Sequence, residues 1–227
     1  LIRGLLDQGA NVTDIGLIST PLLNVMTMKD ESADLGIMVT ASHNPQEYNG
    51  CKFINKRTML PIGLNSGLST IRDLVKNYSF ADVEPGKVET RTILSEYIDH
   101  TYSLLDVSTI KPFTVAIDMG NGIEGVIIDE LVARLPIKPI YLYKEPDGRF
   151  PNHEPNPIKH ETLKDLQRTI LERQADIGFA FDGDADRIGL VDETGEIIPG
   201  DLILALLIPD FLKRYPGATI CHDLRCS

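Results

Sequence analysis

A chain of 227 residues, 42% of them hydrophobic, is long enough for one large or two ordinary domains with buried cores. Its formal net charge of −11, with no basic face along the sequence, argues against nucleic acid as a partner. No apolar run reaches the length of a membrane span, so no membrane partner is expected, and Leu202 to Ile208 reads as one buried helix face.

The cysteines Cys51, Cys221 and Cys226 are too few and too odd for a disulfide framework, which favours a reducing, cytoplasmic setting. Cys221, His222 and Cys226 lie close together, but Cys221 sits in a strand-like run and a fourth ligand is missing, so they are not read as a zinc site. In so acidic a chain, an anion site must be built locally from a metal, a few Lys and Arg, and helix N-termini.

Helix and strand patterns alternate, which favours an α/β fold. Residues 1–9 read as the end of an amphipathic helix, Asp14 to Ser19 as a short strand, and Pro21 as the opening of a helix. Asp34 to Val39 is a buried strand running into Thr40-Ala41-Ser42-His43-Asn44-Pro45, and Lys52 to Asn55 resumes as strand. Leu68, Ile71, Leu74 and Val75 carry a helical period over Ser66 to Tyr78. The Pro85-Gly86 pair marks a domain boundary near 87.

Beyond it, Arg91 to Leu105 reads as helix and Phe113 to Ile117 as a buried strand ending in Asp118-Met119-Gly120-Asn121-Gly122. Ile123 to Leu135 reads as helix and Ile140 to Tyr143 as strand. Glu145 to Pro157 is a long irregular loop, too rich in proline for a simple connector and expected to pack near a cleft. Glu161 to Arg173 reads as helix, Ile177 to Phe181 as strand, Ile188 to Val191 as strand and Asp201 to Arg214 as helix. Ala218 to Cys221 begins a strand just before the sequence stops, so a fragment with a cut third domain is expected.

Ser42 follows an apolar strand, the place where α/β sheets present reactive groups. Its hydroxyl can act as nucleophile or carry phosphate if a base and charge neutralisation are near, and His43 and Lys52 are the local candidates. Taken alone, the segment reads better as a polar turn. A Ser-His-Asp hydrolase is disfavoured, because adjacent Ser42 and His43 cannot readily face each other and no Gly-x-Ser-x-Gly elbow exists.

Asp182-Gly183-Asp184-Ala185-Asp186-Arg187 follows a buried strand about 140 residues later. In an extended segment the alternate spacing puts Asp182, Asp184 and Asp186 on one side, where unpartnered carboxylates repel and a divalent cation is the natural neutraliser. All-oxygen ligation favours Mg²⁺, Mn²⁺ or Ca²⁺ over zinc. Arg187 can pair with a phosphate beside the metal. An EF-hand is disfavoured because Arg187 occupies its glycine position and the flanks read as strands. A phosphatase with an Asp-x-Asp nucleophile and a solvated acidic turn also fit the pattern. Asp118 to Gly122 can touch phosphate through backbone N–H groups, but reads better as a tight strand-to-helix turn.

Thr40 to Pro45, Tyr48-Asn49-Gly50-Cys51-Lys52, Asp118 to Gly122, Glu145 to Gly148 with Phe150 to His153, and Asp182 to Arg187 together resemble the α-D-phosphohexomutases, most closely the bacterial phosphomannomutase/phosphoglucomutase branch. The resemblance covers nearly the whole chain. It implies tandem similar α/β domains with mixed sheets sandwiched by helices. Residues 1–87 would be the later part of domain one, with the phosphoserine loop. Residues 88–191 would be domain two, with the metal loop, and 192–227 the truncated start of domain three.

By the same resemblance, Ser42 would be the phosphorylated serine. Asp182, Asp184 and Asp186, with phosphorylated Ser42, would hold Mg²⁺. Lys52 would serve in acid/base or charge-stabilising work, His43 would lie beside the serine, and Arg187 near it. The implied activity is an isomerase that interconverts hexose 1-phosphate and hexose 6-phosphate (mannose or glucose) through a hexose 1,6-bisphosphate, which also primes the enzyme. The piece alone would lack full activity, and the sugar- and phosphate-recognition loops of later domains are not in it. A non-catalytic metal- or sugar-phosphate-binding module, a phosphoglucosamine mutase and an aspartate-based phosphatase compete with this reading.

Overall fold

The computed structural model describes residues 1–79 and 81–222. The first half runs α1 (Ile2–Leu6), β1 (Val12–Asp14), α2 (Thr20–Lys29), β2 (Leu35–Val39), β3 (Cys51–Asn55), β4 (Leu60–Pro61), α3 (Leu68–Asn77) and β5 (Val88–Thr90). The second runs α4 (Leu94–Ser103), β6 (Phe113–Asp118), α5 (Ile128–Val132), β7 (Ile137–Leu142), α6 (Lys164–Arg173), β8 (Ile177–Phe181), β9 (Ile188–Asp192), β10 (Ile197–Ile198) and α7 (Gly200–Arg214).

The principal sheet has five strands in the order β10-β9-β8-β6-β7. β6 pairs in parallel with β7 and β8, while β9 and β10 add antiparallel, so the sheet is mixed. Alternation along β6 sends Val115 and Ile117 to one face, where they cluster with Met119 and Ile128. Ala116 faces the other side with Leu163, Leu166 and Ile170 of the α6 region, and with Ala180 and Val191. Gly178 lets α6 press onto β8, since a Cβ there would stand 2.5 Å from Ile170 Cδ1 and 2.9 Å from Leu166 Cδ1.

β2, β3 and β4 form an antiparallel sheet, and β1 pairs in parallel with β5. The first half is tied to the second by one shared core: Leu22 and Met26 of α2 pack with Ile93 and Ile127. This contact brings the ends of β2, β6 and β8 together.

Several elements differ from expectation. The strand expected over 14–19 lies at Val12–Asp14, because Asp14 Oδ1 accepts the Gly16 N–H at 2.9 Å and Gly16 turns at φ 75°. The expected helix at 123–135 begins as a 3₁₀ turn, Ile123–Val126, and its α-helical part is only Ile128–Val132; Gly125 there is pressed against the Lys144 carbonyl.

The Asp192–Gly195 turn folds Ile197 and Ile198 back onto Val191 and Leu190, so β10 adds to the edge of the principal sheet. The run Leu202–Ile208 is helical but not a buried face. Leu202, Leu206 and Leu207 are exposed, since no described element covers them. No strand is found at 218–221, exposed Cys221 stands clear of any strand, and Cys226 lies outside the described residues. Among the described residues no helix is long and apolar enough to cross a membrane.

Candidate active site

Three loops meet where β2, β6 and β8 end. The serine loop leaves β2 and returns in β3, closed by a Thr40 N–H to Gly50 carbonyl bond of 3.0 Å. The Thr40 hydroxyl accepts the Ser42 N–H at 2.8 Å. Ser42 itself adopts φ 56°, a left-handed conformation that a non-glycine residue holds only where its surroundings enforce it.

The acidic loop joins β8 to β9. It is pinned by Asp182 N–H to Arg187 carbonyl (3.2 Å) and by Arg187 N–H to Asp182 Oδ1 (3.0 Å). Glycine at 183 is what lets the two loops touch: a Cβ there would overlap the Ser42 carbonyl oxygen. Gly122, from the turn after β6, packs beneath, where a Cβ would stand 3.0 Å from the Gly183 carbonyl oxygen. The Ile123 N–H donates to that same oxygen at 3.0 Å.

Ser42 Oγ donates to Asp182 Oδ2 at 2.9 Å. Arg187 Nη2 reaches Ser42 Oγ at 3.2 Å and Asp182 Oδ2 at 2.7 Å. The same guanidinium contacts His43 Nδ1, so that nitrogen is the acceptor, and it lies 3.3 Å from Ser42 Oγ. Lys52 Nζ stands 2.6 Å from both Asp184 Oδ2 and Asp186 Oδ2. All the residues singled out from the sequence therefore share one site.

Burial raises the Asp182 carboxyl above the usual carboxylate range and outweighs the bonds from Arg187. At Asp184 burial acts the same way, but hydrogen bonds from Lys52 and Thr20 prevail and hold it low. Lys52 is pulled down by burial and pushed further up by Asp184 and Asp186, so it is held protonated.

Carboxylate oxygens of Asp182, Asp184 and Asp186, one from each, lie within 4.8 Å of one another. Asp184 Oδ1 is buried without a hydrogen-bond partner. Clustered carboxylates with an orphaned oxygen suit a hard divalent cation, which takes oxygen ligands and would supply the missing partner.

A cleft of about 510 Å³ opens beside Ser42, walled by Thr40, Asn44, Tyr48, Asn121, Arg149 and Phe150 among others. The long proline-rich loop thus stands at the cleft, held by Asn121. Asn121 Nδ2 donates to the Glu145 carbonyl at 2.8 Å, and Asn121 Oδ1 accepts from Asn152 at 2.7 Å. His153 Nε2 meets buried Asp118 at 3.0 Å and completes the clamp.

Residues 95–195 match the family model described as phosphoglucomutase/phosphomannomutase, alpha/beta/alpha domain II, and residues 1–81 match that of alpha/beta/alpha domain I. The chain belongs to the phosphoglucomutase/phosphomannomutase family.

This family member is 42% identical over 233 residues to a phosphomannomutase of Vibrio cholerae and 41% identical over 231 residues to a phosphomannomutase/phosphoglucomutase of Pseudomonas aeruginosa. Both matches take in 100% of the chain, but 50% and 48% of those proteins, so the chain spans about half the length of the curated relatives it matches. A crystal structure of a phosphoglucomutase/phosphomannomutase family protein from Burkholderia thailandensis superposes with a TM-score of 0.84 at 32% identity, covering 95% of this chain and 47% of that one.

Sequence reasoning missed Thr20. Its hydroxyl donates to Asp184 Oδ2 at 2.7 Å across 164 residues of chain. Ser19-Thr20-Pro21 reads locally as a helix start, and nothing in that pattern points to a distant carboxylate.

Proposed function

We propose that this chain carries the phosphoserine and metal half of a hexose-phosphate mutase, an isomerase that interconverts hexose 1-phosphate and hexose 6-phosphate of mannose or glucose. The observation that carries this reading is Ser42 Oγ, 2.9 Å from Asp182 Oδ2 at the edge of the three-carboxylate cluster and within reach of Arg187. Residues 1–87 are assigned to the phosphoserine domain, 88–191 to the metal-loop domain and 192–227 to the start of a third.

In the phosphorylated state Ser42 Oγ is the bridging ester oxygen. A hexose hydroxyl oxygen attacks phosphorus and loses its proton. The P–Oγ bond breaks, and Oγ leaves with the bonding pair and takes up a proton. The product is a hexose 1,6-bisphosphate, which turns in the cleft. Ser42 then attacks the other phosphorus and recovers the phosphoryl group, leaving the isomerised monophosphate.

Arg187 steadies Oγ and the charge that gathers on it. Lys52, whose Nζ stands 2.6 Å from both Asp184 and Asp186, serves in acid/base or charge-stabilising work. His43 presents an acceptor nitrogen near Oγ for proton exchange. Asp182, Asp184 and Asp186, with the phosphoryl oxygens on Ser42, would hold Mg²⁺. When bound, that ion offsets negative charge on the transferring group. Hexose 1,6-bisphosphate is also the expected activator that loads an unphosphorylated serine.

The test is phosphopeptide mapping, with ³¹P detection, of the purified protein in its natural full length. Phosphate on Ser42 that moves to added mannose 1-phosphate or glucose 1-phosphate is expected. A Ser42 that glucose 1,6-bisphosphate and Mg²⁺ cannot load would overturn the mutase reading in favour of a binding module. Free phosphate released from an aspartate adduct would favour a phosphatase.

A further inference from the structure

Thr20 touches the acidic loop twice. Its hydroxyl donates to Asp184 Oδ2 at 2.7 Å, and its backbone N–H donates to the Asp184 carbonyl at 3.0 Å. Both partners are buried, Thr20 at 4% exposure and Asp184 at 3%. Thr20 is also the first residue of α2, so the positive end of that helix dipole rests on the same aspartate. The two residues come from different halves of the chain, joined by the core that α2 shares with Ile93 and Ile127.

The consequence lies in how the two carboxylate oxygens of Asp184 divide their work. Oδ2 is committed to Thr20 and to Lys52 Nζ at 2.6 Å. Oδ1 is buried and has no partner. A buried carboxylate oxygen left unpaired is costly unless a ligand meets it.

We propose that Thr20 is a positioning residue for the cation site: by fixing Oδ2 it sets the Asp184 rotamer that leaves Oδ1 for a divalent ion. The inference rests on the cation reading given above. It adds that a residue of α2, outside the acidic loop, tunes cation affinity, and that the site is complete only when α2 is seated on that loop. Hydrogen-bond partners behind a metal ligand commonly change affinity 10- to 100-fold when removed.

The test is Mn²⁺ binding to the full chain, read from the electron paramagnetic resonance signal of free Mn²⁺, in wild type, Thr20→Val and Thr20→Ser. Thr20→Val keeps the shape and removes the hydroxyl, and is expected to weaken binding about tenfold. Thr20→Ser restores the donor and is expected to stay within about twofold of wild type. If Thr20→Val does not give the wild-type circular dichroism spectrum, Thr20→Ala takes its place.

Wild-type affinity without the hydroxyl would overturn the proposal. So would equal weakening in Thr20→Ser, which keeps the donor, because the effect would then not follow the hydroxyl. A wild-type chain that binds no Mn²⁺ would sink the cation reading itself, a result distinct from either.

Discussion

Glu124 offers the sharpest quantitative test of how the site is supported. It lies in the 3₁₀ turn that follows Gly122, one residue after the N–H that braces the Gly183 carbonyl. Its side chain is buried, and burial alone pushes its carboxyl up from 4.5 to about 7. At about 1.4 kcal/mol per pH unit, that displacement makes the ionised form cost about 3 kcal/mol in the folded state.

The sign follows from proton linkage. Between pH 4.5 and about 7 the folded state holds a proton on Glu124 that the unfolded state has lost. Stability from this group is therefore full below pH 4.5 and falls as pH rises through the folded value.

Glu124→Gln has nearly the same shape as the protonated acid and no charge to develop. The variant should lie within about 1 kcal/mol of wild type at pH 5 and exceed it by about 3 kcal/mol at pH 8. Urea unfolding followed by far-ultraviolet circular dichroism reads the difference. With a slope of about 3 kcal/mol per molar, the midpoint should rise by about 1 M at pH 8. Other groups titrate in the same window, but they are common to both proteins and cancel in the comparison. A variant that tracks wild type in parallel from pH 5 to 8 would refute the burial argument.

Gly183→Ala should separate the serine and acidic loops, because its Cβ would overlap the Ser42 carbonyl oxygen. A loss of about 3 kcal/mol or more in thermal unfolding is expected from such overpacking, together with weaker Mn²⁺ binding. Lys56 Nζ caps the C-terminal end of α2 by donating to the carbonyls of Thr27 (2.7 Å), Met28 and Asp30 (3.0 Å). Lys56→Met should lose about 2 kcal/mol in urea unfolding, as charged hydrogen bonds to the helix end are removed.

Burial pulls the His153 imidazole down, but its bond to Asp118 prevails and holds it above its ordinary value. An NMR titration should therefore give a midpoint above about 6.5, and Asp118→Asn should bring it below. The sign for stability is that the His153–Asp118 contribution is full below about pH 6.5 and is lost as pH rises through the folded value.

What could be read from the sequence follows the range of the forces involved. β8 is legible to the residue, because Ile177 to Phe181 is a short apolar run between polar segments and lies inside a sheet. The acidic loop is legible for a related reason: like charges at alternate positions demand a neutraliser wherever the chain puts them. The long apolar run of α7 misleads because periodicity reports which residues could be covered, and covering them needs a neighbour that the described residues do not provide. The Asp14–Ser19 strand fails for a local reason, since one side-chain bond to the Gly16 N–H was enough to turn the chain.

The site itself divides in the same way. Ser42, Lys52 and the three aspartates stand out as candidates by residue type, whereas Thr20, Gly122 and Gly183 matter through where the fold places them. Gly183 reads as a loop residue until the Ser42 carbonyl is found against it. Thr20 reads as a helix start until Asp184 arrives from across the chain. The residues that hold the loops at hydrogen-bonding distance are therefore the least visible in sequence, yet they decide whether Ser42 and the carboxylates can act together. On the cation reading proposed above, substituting them should change Mn²⁺ affinity while Asp182, Asp184 and Asp186 are all kept, and Mn²⁺ titration separates that effect from substitution of the aspartates themselves.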